Sequence, residues 1–233
     1  MAKPNPPASK IAKPRRATSS AAVRSAEPIK PLVDGSPTAS RKAGDYSALP
    51  LFLWFPEGDR TSLAGVLRKS YKAHSNTALG FIRSKLHPMA SADGAWDPSA
   101  ERHEVVLPCA AHDGGRDPFL LGTEFDRHVL PHKQSLLVYL TMRFPTSASL
   151  QRSWEIGRAF ALRNLALKRK LATVMVQHAP HRAGSDNHQH LHLLVLPRRL
   201  TSLGFGVFDD AITTDAGLEK LYGEWRTFLR RWD

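Results

Sequence analysis

The chain has 233 residues and a single cysteine, Cys109. One thiol excludes a disulfide-stapled scaffold and any zinc site built on paired cysteines. No apolar run approaches the roughly 20 residues that a membrane-spanning helix needs, so no membrane partner is expected. The N-terminus is basic but lacks the apolar core of a signal peptide, which points to a cytoplasmic location. Acidic residues are scarce as well: 21 Asp and Glu face 33 Lys and Arg, a net charge of +12. That imbalance makes a polyanion the first partner to consider.

The charge is unevenly spread. Residues 1–44 contain no aromatic side chain and hold prolines at 4, 6, 7, 14, 28, 31 and 37. Nine basic residues there oppose only Glu27 and Asp34. Such a segment cannot bury enough apolar surface to offset its ordering entropy, so it reads as a disordered basic tail. It is either a nucleic-acid tether or simply solvated. Residues 45–233 read as one domain. Leu49–Phe55 is an apolar run expected to be a buried strand, and a helix is expected from Ser62 through Leu63, Val66, Leu67 and Tyr71. Further strands are expected at 104–107, 136–144, 173–177 and 190–196, with helices at 123–130, at 149–171 and from a Thr214 cap onward. This mixture is α+β.

Five of the eleven histidines lie between 178 and 192. In a strand, alternate side chains share a face, so His190 and His192 point together while Leu191, Leu193 and Val195 pack the other side. His178 ends the preceding strand. If the two strands pair as antiparallel neighbours, three imidazoles meet, which is the start of a metal site with open positions for substrate. All-imidazole ligation by itself suits several transition metals. The bland alternative is a solvent-facing strand with idle rings. His181 and His188 are weaker members that would orient substrate, support a ligand or merely sit in the loop. Asp186 and Asn187 would turn that loop or orient a ligand.

The run from Val176 to Gly206 resembles the metal-binding motif of MobA/MobL-type plasmid mobilisation relaxases, within the HUH endonucleases. It carries His178-Ala179-Pro180, a polar loop from Gly184 to Asp186, Asn187, His190-Leu191-His192, Arg198-Arg199 and a Gly204-Phe205-Gly206 turn. The resemblance implies a relaxase (HUH) type fold, an antiparallel central sheet with flanking helices. Here the helices are expected on one face and the His cluster on the other. It also implies site-specific nicking and rejoining of single-stranded DNA, or of a DNA hairpin at a transfer origin, with accessory mobilisation proteins as further partners. His178, His190 and His192 would hold Mg²⁺ or Mn²⁺. A tyrosine would attack the scissile phosphate, giving a 5′-phosphotyrosine and a free 3′-OH. Tyr71 is the counterpart of the family's nucleophile, whereas Tyr139 reads as a strand residue and Tyr222 lies on an apolar helical stripe, so core packing is expected of both. Lys69, Lys72, Arg83, Arg198 and Arg199 are candidate phosphate contacts, and Trp54 or Trp154 would stack bases.

Two other readings stand beside this one. His188-Gln189-His190-Leu191-His192-Leu193-Leu194 also resembles a histidine-triad nucleotide hydrolase or transferase, in which His190 would be the nucleophile and no metal is needed. That reading gives His178-Ala179-Pro180 no task and leaves the charge unexplained. The other is a relaxase-like domain that binds DNA without cutting it.

Overall fold

The computed structural model describes residues 30–31, 51–54, 62–71, 74–89, 98–144, 148–184 and 187–232. In chain order the strands are β1 (Lys30–Pro31), β2 (Leu51–Trp54), β3 (Ser62–Arg68), β4 (Ser70–Tyr71), β5 (His74–Ser75), β6 (Arg102–Val106), β7 (Ser135–Arg143), β8 (Leu171–His178), β9 (His190–Thr201) and β10 (Gly204–Phe208). The helices are α1 (Ala78–Leu86), α2 (Pro118–Arg127), α3 (Leu150–Phe160) and α4 (Asp215–Leu229). The class is α+β. One antiparallel sheet runs β1-β2-β3-β7-β9-β8-β6, with β10 paired to the second half of β9. β4 and β5 form a separate two-stranded hairpin.

The segment expected to be a helix from Ser62 to Tyr71 is instead strand β3 followed by the short β4. Its apolar residues are too dense to show a period of two. Ala64 and Val66 are buried in one core, and Leu67 is buried in the other. A strand covered on both faces reads as a continuous apolar run, which spacing alone does not separate from a helix.

Helices also cover both faces of the sheet rather than one. Val138, Leu140, Met175, Leu191, Leu193 and Val195 pack with α3 and α4 side chains such as Trp154, Phe160, Leu221 and Trp225. Leu137, Tyr139, Val174, Val176 and Leu194 pack with Phe81, Ile82, Leu121 and Phe125 of α1 and α2. The reason lies in β7, β8 and β9, whose consecutive inner residues are buried on both faces and mostly apolar. A sheet centre apolar on both sides needs two layers of cover.

β9 runs on past residue 196, the end expected from sequence, through Pro197 to Thr201. A proline fits where the ladder is interrupted. Pairing with β7 ends at Val195, pairing with β10 begins at Arg198, and the β8 register shifts alongside. Gly204-Phe205-Gly206 accordingly lies in β10 rather than in a turn. Past α3 the helix continues as a π-helical stretch, Ala161–Leu167, before β8. Thr214 caps α4 as expected, its Oγ accepting from the Gly217 N–H at 3.1 Å.

Within 1–44, only Lys30–Pro31 is described, paired with Phe52 and Leu53. The expected domain start near residue 45 lies outside the described residues.

α3 approaches the sheet closely at Gly157, where an added Cβ would stand 2.0 Å from Leu191 Cδ2. Leu191 lies between the two strand histidines on the opposite face. Gly157→Ala is therefore expected to lower stability by about 1–3 kcal/mol in urea denaturation, because the buried Leu191 side chain or its surroundings must shift to relieve the overlap.

Candidate metal centre

The site arises from register. β8 and β9 pair so that His178 stands opposite His190 and Val176 opposite His192. β7 sets Thr141 opposite His192 and Arg143 opposite His190. Directly opposed residues share a face, so the three imidazoles lie on the α1 and α2 side. One nitrogen from each ring lies within 4.8 Å of the others. The ring centroids of His178 and His190 are 5.2 Å apart, and each is 4.7 Å from that of His192.

Neighbouring elements hold the strand ends in place. Gln177 and Gln189 point to the other face and donate to the Leu150 and Ala148 carbonyls at the start of α3. On the histidine face, the Asp126 carboxylate of α2 accepts from the Ala78 and Leu79 N–H groups at 2.8 and 2.9 Å, fixing the start of α1. The far end of α1 then delivers the Lys85 carbonyl to His178 Nε2, at 2.6 Å.

Hydrogen bonds divide the nitrogens of each ring. A carbonyl only accepts, so His178 Nε2 carries a proton and its Nδ1 carries the lone pair. His190 Nδ1 likewise faces the His188 carbonyl at 2.9 Å, leaving Nε2 as the lone-pair nitrogen. His192 is 4% exposed, and its Nδ1 meets the Tyr139 and Thr141 hydroxyls at 2.9 and 3.1 Å.

Burial is the main reason all three rings hold a proton less readily than usual. His178 is brought down to about 4, with His190 and Lys85 adding repulsion against the opposing effect of the Lys85 carbonyl. His190 is lowered by burial, Arg143 and Lys85, and His192 by burial together with Lys85, the other two histidines and Arg143. Neutral imidazole is the ligating form, so these rings need not shed a proton to bind a cation near neutral pH.

The cluster opens into a cavity of about 820 Å³. Lys85, Arg143 and Arg182 line it with the histidines, and Arg182 is paired with Glu101. The Lys85 ammonium lies 5.2 Å from both the Phe81 and Tyr139 ring centroids. Three neutral nitrogen donors beside a cationic cavity suit a divalent cation carrying an anionic ligand such as a phosphate.

The other residues singled out from sequence are placed differently. β3 pairs Ser62 with Met142 and Arg68 with Ser135, so it runs away from the histidines. Along β7, Ser135 and Thr141 are roughly 20 Å apart. The segment after Arg68 closes on itself through Asn76 N–H to the Lys69 carbonyl at 2.6 Å, which keeps the Tyr71 backbone at that far end. Lys69 is there too, donating to the Leu130 and Pro131 carbonyls rather than facing the cavity. Arg198, expected at a phosphate, is buried and gives its guanidinium to the Gly206, Phe205 and His128 carbonyls, locking β10 against β9. Arg199 is exposed near the opposite end of β9 from His190, and Arg83 lies half-buried on α1. His181 and His188 are exposed, and His188 meets His190 Nδ1 through its carbonyl. Asn187 lines the cavity. Lys72 and Asp186 lie outside the described residues, as does the Trp54 side chain. Trp154 is fully buried under the Arg102 guanidinium and offers no stacking surface.

Sequence reasoning missed Lys85, Thr141 and Arg143, and took Tyr139 for core packing alone. The signal for three of these was register: positions 139, 141 and 143 alternate along one face of a strand beside the His-x-His strand.

No family model matches the chain, and no curated protein does. Among solved structures, one concerning the molecular basis of vancomycin resistance transfer in Staphylococcus aureus matches 56% of this chain and 68% of its own. The identity is 17% and the TM-score 0.47.

The depressed imidazoles also set a pH dependence for the metal-free protein. The folded values lie below the ordinary 6.5, so as pH falls the unfolded chain takes up protons first. Stability from these groups is complete above about 6.5 and is lost as pH falls towards 4. Urea denaturation across that window should show the decline, and replacing all three histidines by Gln should flatten it.

Proposed function

We propose that this chain is a metal-dependent DNA-processing domain of relaxase type. On this reading it seats a phosphodiester of single-stranded DNA beside a cation held by His178, His190 and His192. The observation that carries the proposal is the meeting of three imidazoles, from two adjoining strands, at a cavity lined by Lys85 and Arg143. Bound there, the ion would polarise the phosphate and stabilise the charge that builds on it. His178 Nδ1 and the Nε2 atoms of His190 and His192 would be its ligands. An all-nitrogen set from the protein suits Mn²⁺ or a softer ion better than Mg²⁺, which prefers oxygen.

Lys85 and Arg143 replace the phosphate contacts inferred from sequence, since they are the cations beside the histidines. Arg143 offers a planar fork of donors to phosphate oxygens, and Lys85 a point charge. The histidine-triad alternative is disfavoured by the identity of the third ring. His178 of β8 joins His190 and His192, while among the described residues His188 meets them through its carbonyl.

In the fuller form of the reading, a tyrosine hydroxyl attacks the phosphorus, the 3′ oxygen leaves, and a 5′-phosphotyrosine holds the strand for rejoining. Tyr71 is the sequence's candidate, and its hairpin would have to travel to the cavity. Its placement at the far end favours the second reading, a domain that binds metal and a DNA strand without breaking it.

Incubating the full chain with Mn²⁺ and a randomised single-stranded library separates these. A denaturant-stable protein–DNA adduct that Tyr71→Phe abolishes establishes nicking. Mn²⁺-dependent DNA retention without an adduct establishes the second reading, and neither result sinks both. In the same binding assay, Lys85→Ala with Arg143→Ala should lower the salt slope by about 0.7 per charge removed. Arg199→Ala should leave it unchanged.

A further inference from the structure

Two of the three histidines have their tautomer set by a main-chain carbonyl, and the third does not. His178 and His190 each face a carbonyl that only accepts. His192 Nδ1 instead faces two hydroxyls, Tyr139 Oη at 2.9 Å and Thr141 Oγ1 at 3.1 Å. Both come from β7, where Thr141 is the direct partner of His192 and Tyr139 stands one pleat along on the same face. Tyr139 and Thr141 are each 5% exposed, so water does not compete freely for the nitrogen.

We infer that Tyr139 and Thr141 are positioning residues for the metal centre: their hydroxyl oxygens accept the hydrogen bond of the His192 Nδ1–H and so present its Nε2 lone pair to the cation. This rests on the metal reading given above. A ring that ligates through Nε2 must carry its proton on Nδ1. The two hydroxyl oxygens are the groups placed to accept it, doing for His192 what the Lys85 and His188 carbonyls do for the other rings. Partners of this kind fix both the tautomer and the rotation of a ligating imidazole. Rotation matters most here, because His192 is the ring nearest to both others.

The same geometry rules on a second role for Tyr139. The two nitrogens of an imidazole point to opposite sides of the ring. A group bonded to Nδ1 therefore stands behind His192 as seen from a cation at Nε2. Tyr139 lines the cavity, with its ring 5.2 Å from the Lys85 ammonium, but its hydroxyl is engaged by His192 Nδ1, across the imidazole from such a cation.

The test is titration of the full-length chain with Co²⁺ and with Mn²⁺, following heat and, for Co²⁺, the visible absorption that reports its ligands. Wild type, Tyr139→Phe, Thr141→Val, the double variant and His192→Ala are compared. Both single substitutions keep shape and remove one oxygen, and melting of each metal-free variant checks the fold. The double variant should bind roughly 10–100-fold more weakly than wild type and show an altered Co²⁺ spectrum. Each single variant should fall between, and His192→Ala should lose the centre. A role in core packing alone would lower the metal-free melting temperature and leave affinity and spectrum untouched. A double variant with wild-type affinity and spectrum overturns the positioning role while leaving the metal reading intact. A wild type that binds neither ion overturns both.

Discussion

The candidate centre depends on the register between β8 and β9. With His178 opposite His190 and Val176 opposite His192, three rings fall on one face at one end of the sheet. A slip of one residue would turn His190 and His192 towards α3 and bring Leu191 and Leu193 to the cavity side. Leu191, Leu193 and Val195 prevent this, because they are fully buried against the α3 and α4 layer. Gln177 and Gln189 reinforce it by tethering both strand ends to the start of α3. The helical layer on the face opposite the histidines therefore fixes which way they point.

The opposite layer prepares their chemistry. Asp126 of α2 holds the start of α1, and the end of α1 presents the Lys85 carbonyl to His178. The same residue's ammonium, together with Arg143, repels protons from the rings. Burial and positive charge thus act in one direction. They keep the imidazoles neutral while making the cavity attractive to an anion. A cation bound there would meet ligands already aligned, so little ordering entropy would remain to oppose binding.

The histidine cluster was legible in the sequence because strand geometry is strictly alternating. The His-x-His spacing fixed a shared face, and apolar residues at 191, 193 and 195 said which face was buried. α4 was legible through its cap and its 3.6-residue period. β3 was not, since a strand buried on both sides shows no period. The phosphate contacts were the weakest expectation. Lys69 and Arg198 look like any other exposed cation in sequence, yet both spend their donors on main-chain carbonyls. Such bonds span 61 and 70 residues for Lys69 to Leu130 and Arg198 to His128, and no local pattern encodes them. Tyr139 was read correctly as a buried strand residue, but its hydroxyl partner is visible only once β7 is laid against β9.

The most direct measurement of the central claim is pulsed electron paramagnetic resonance on Mn²⁺ added to the full-length protein. The geometry requires nitrogen couplings from three imidazoles, all carried by one bound ion and reduced in number when His178, His190 or His192 is replaced singly by Ala. A spectrum of Mn²⁺ surrounded by water oxygens, with no imidazole nitrogen coupling in the wild-type protein, would contradict it.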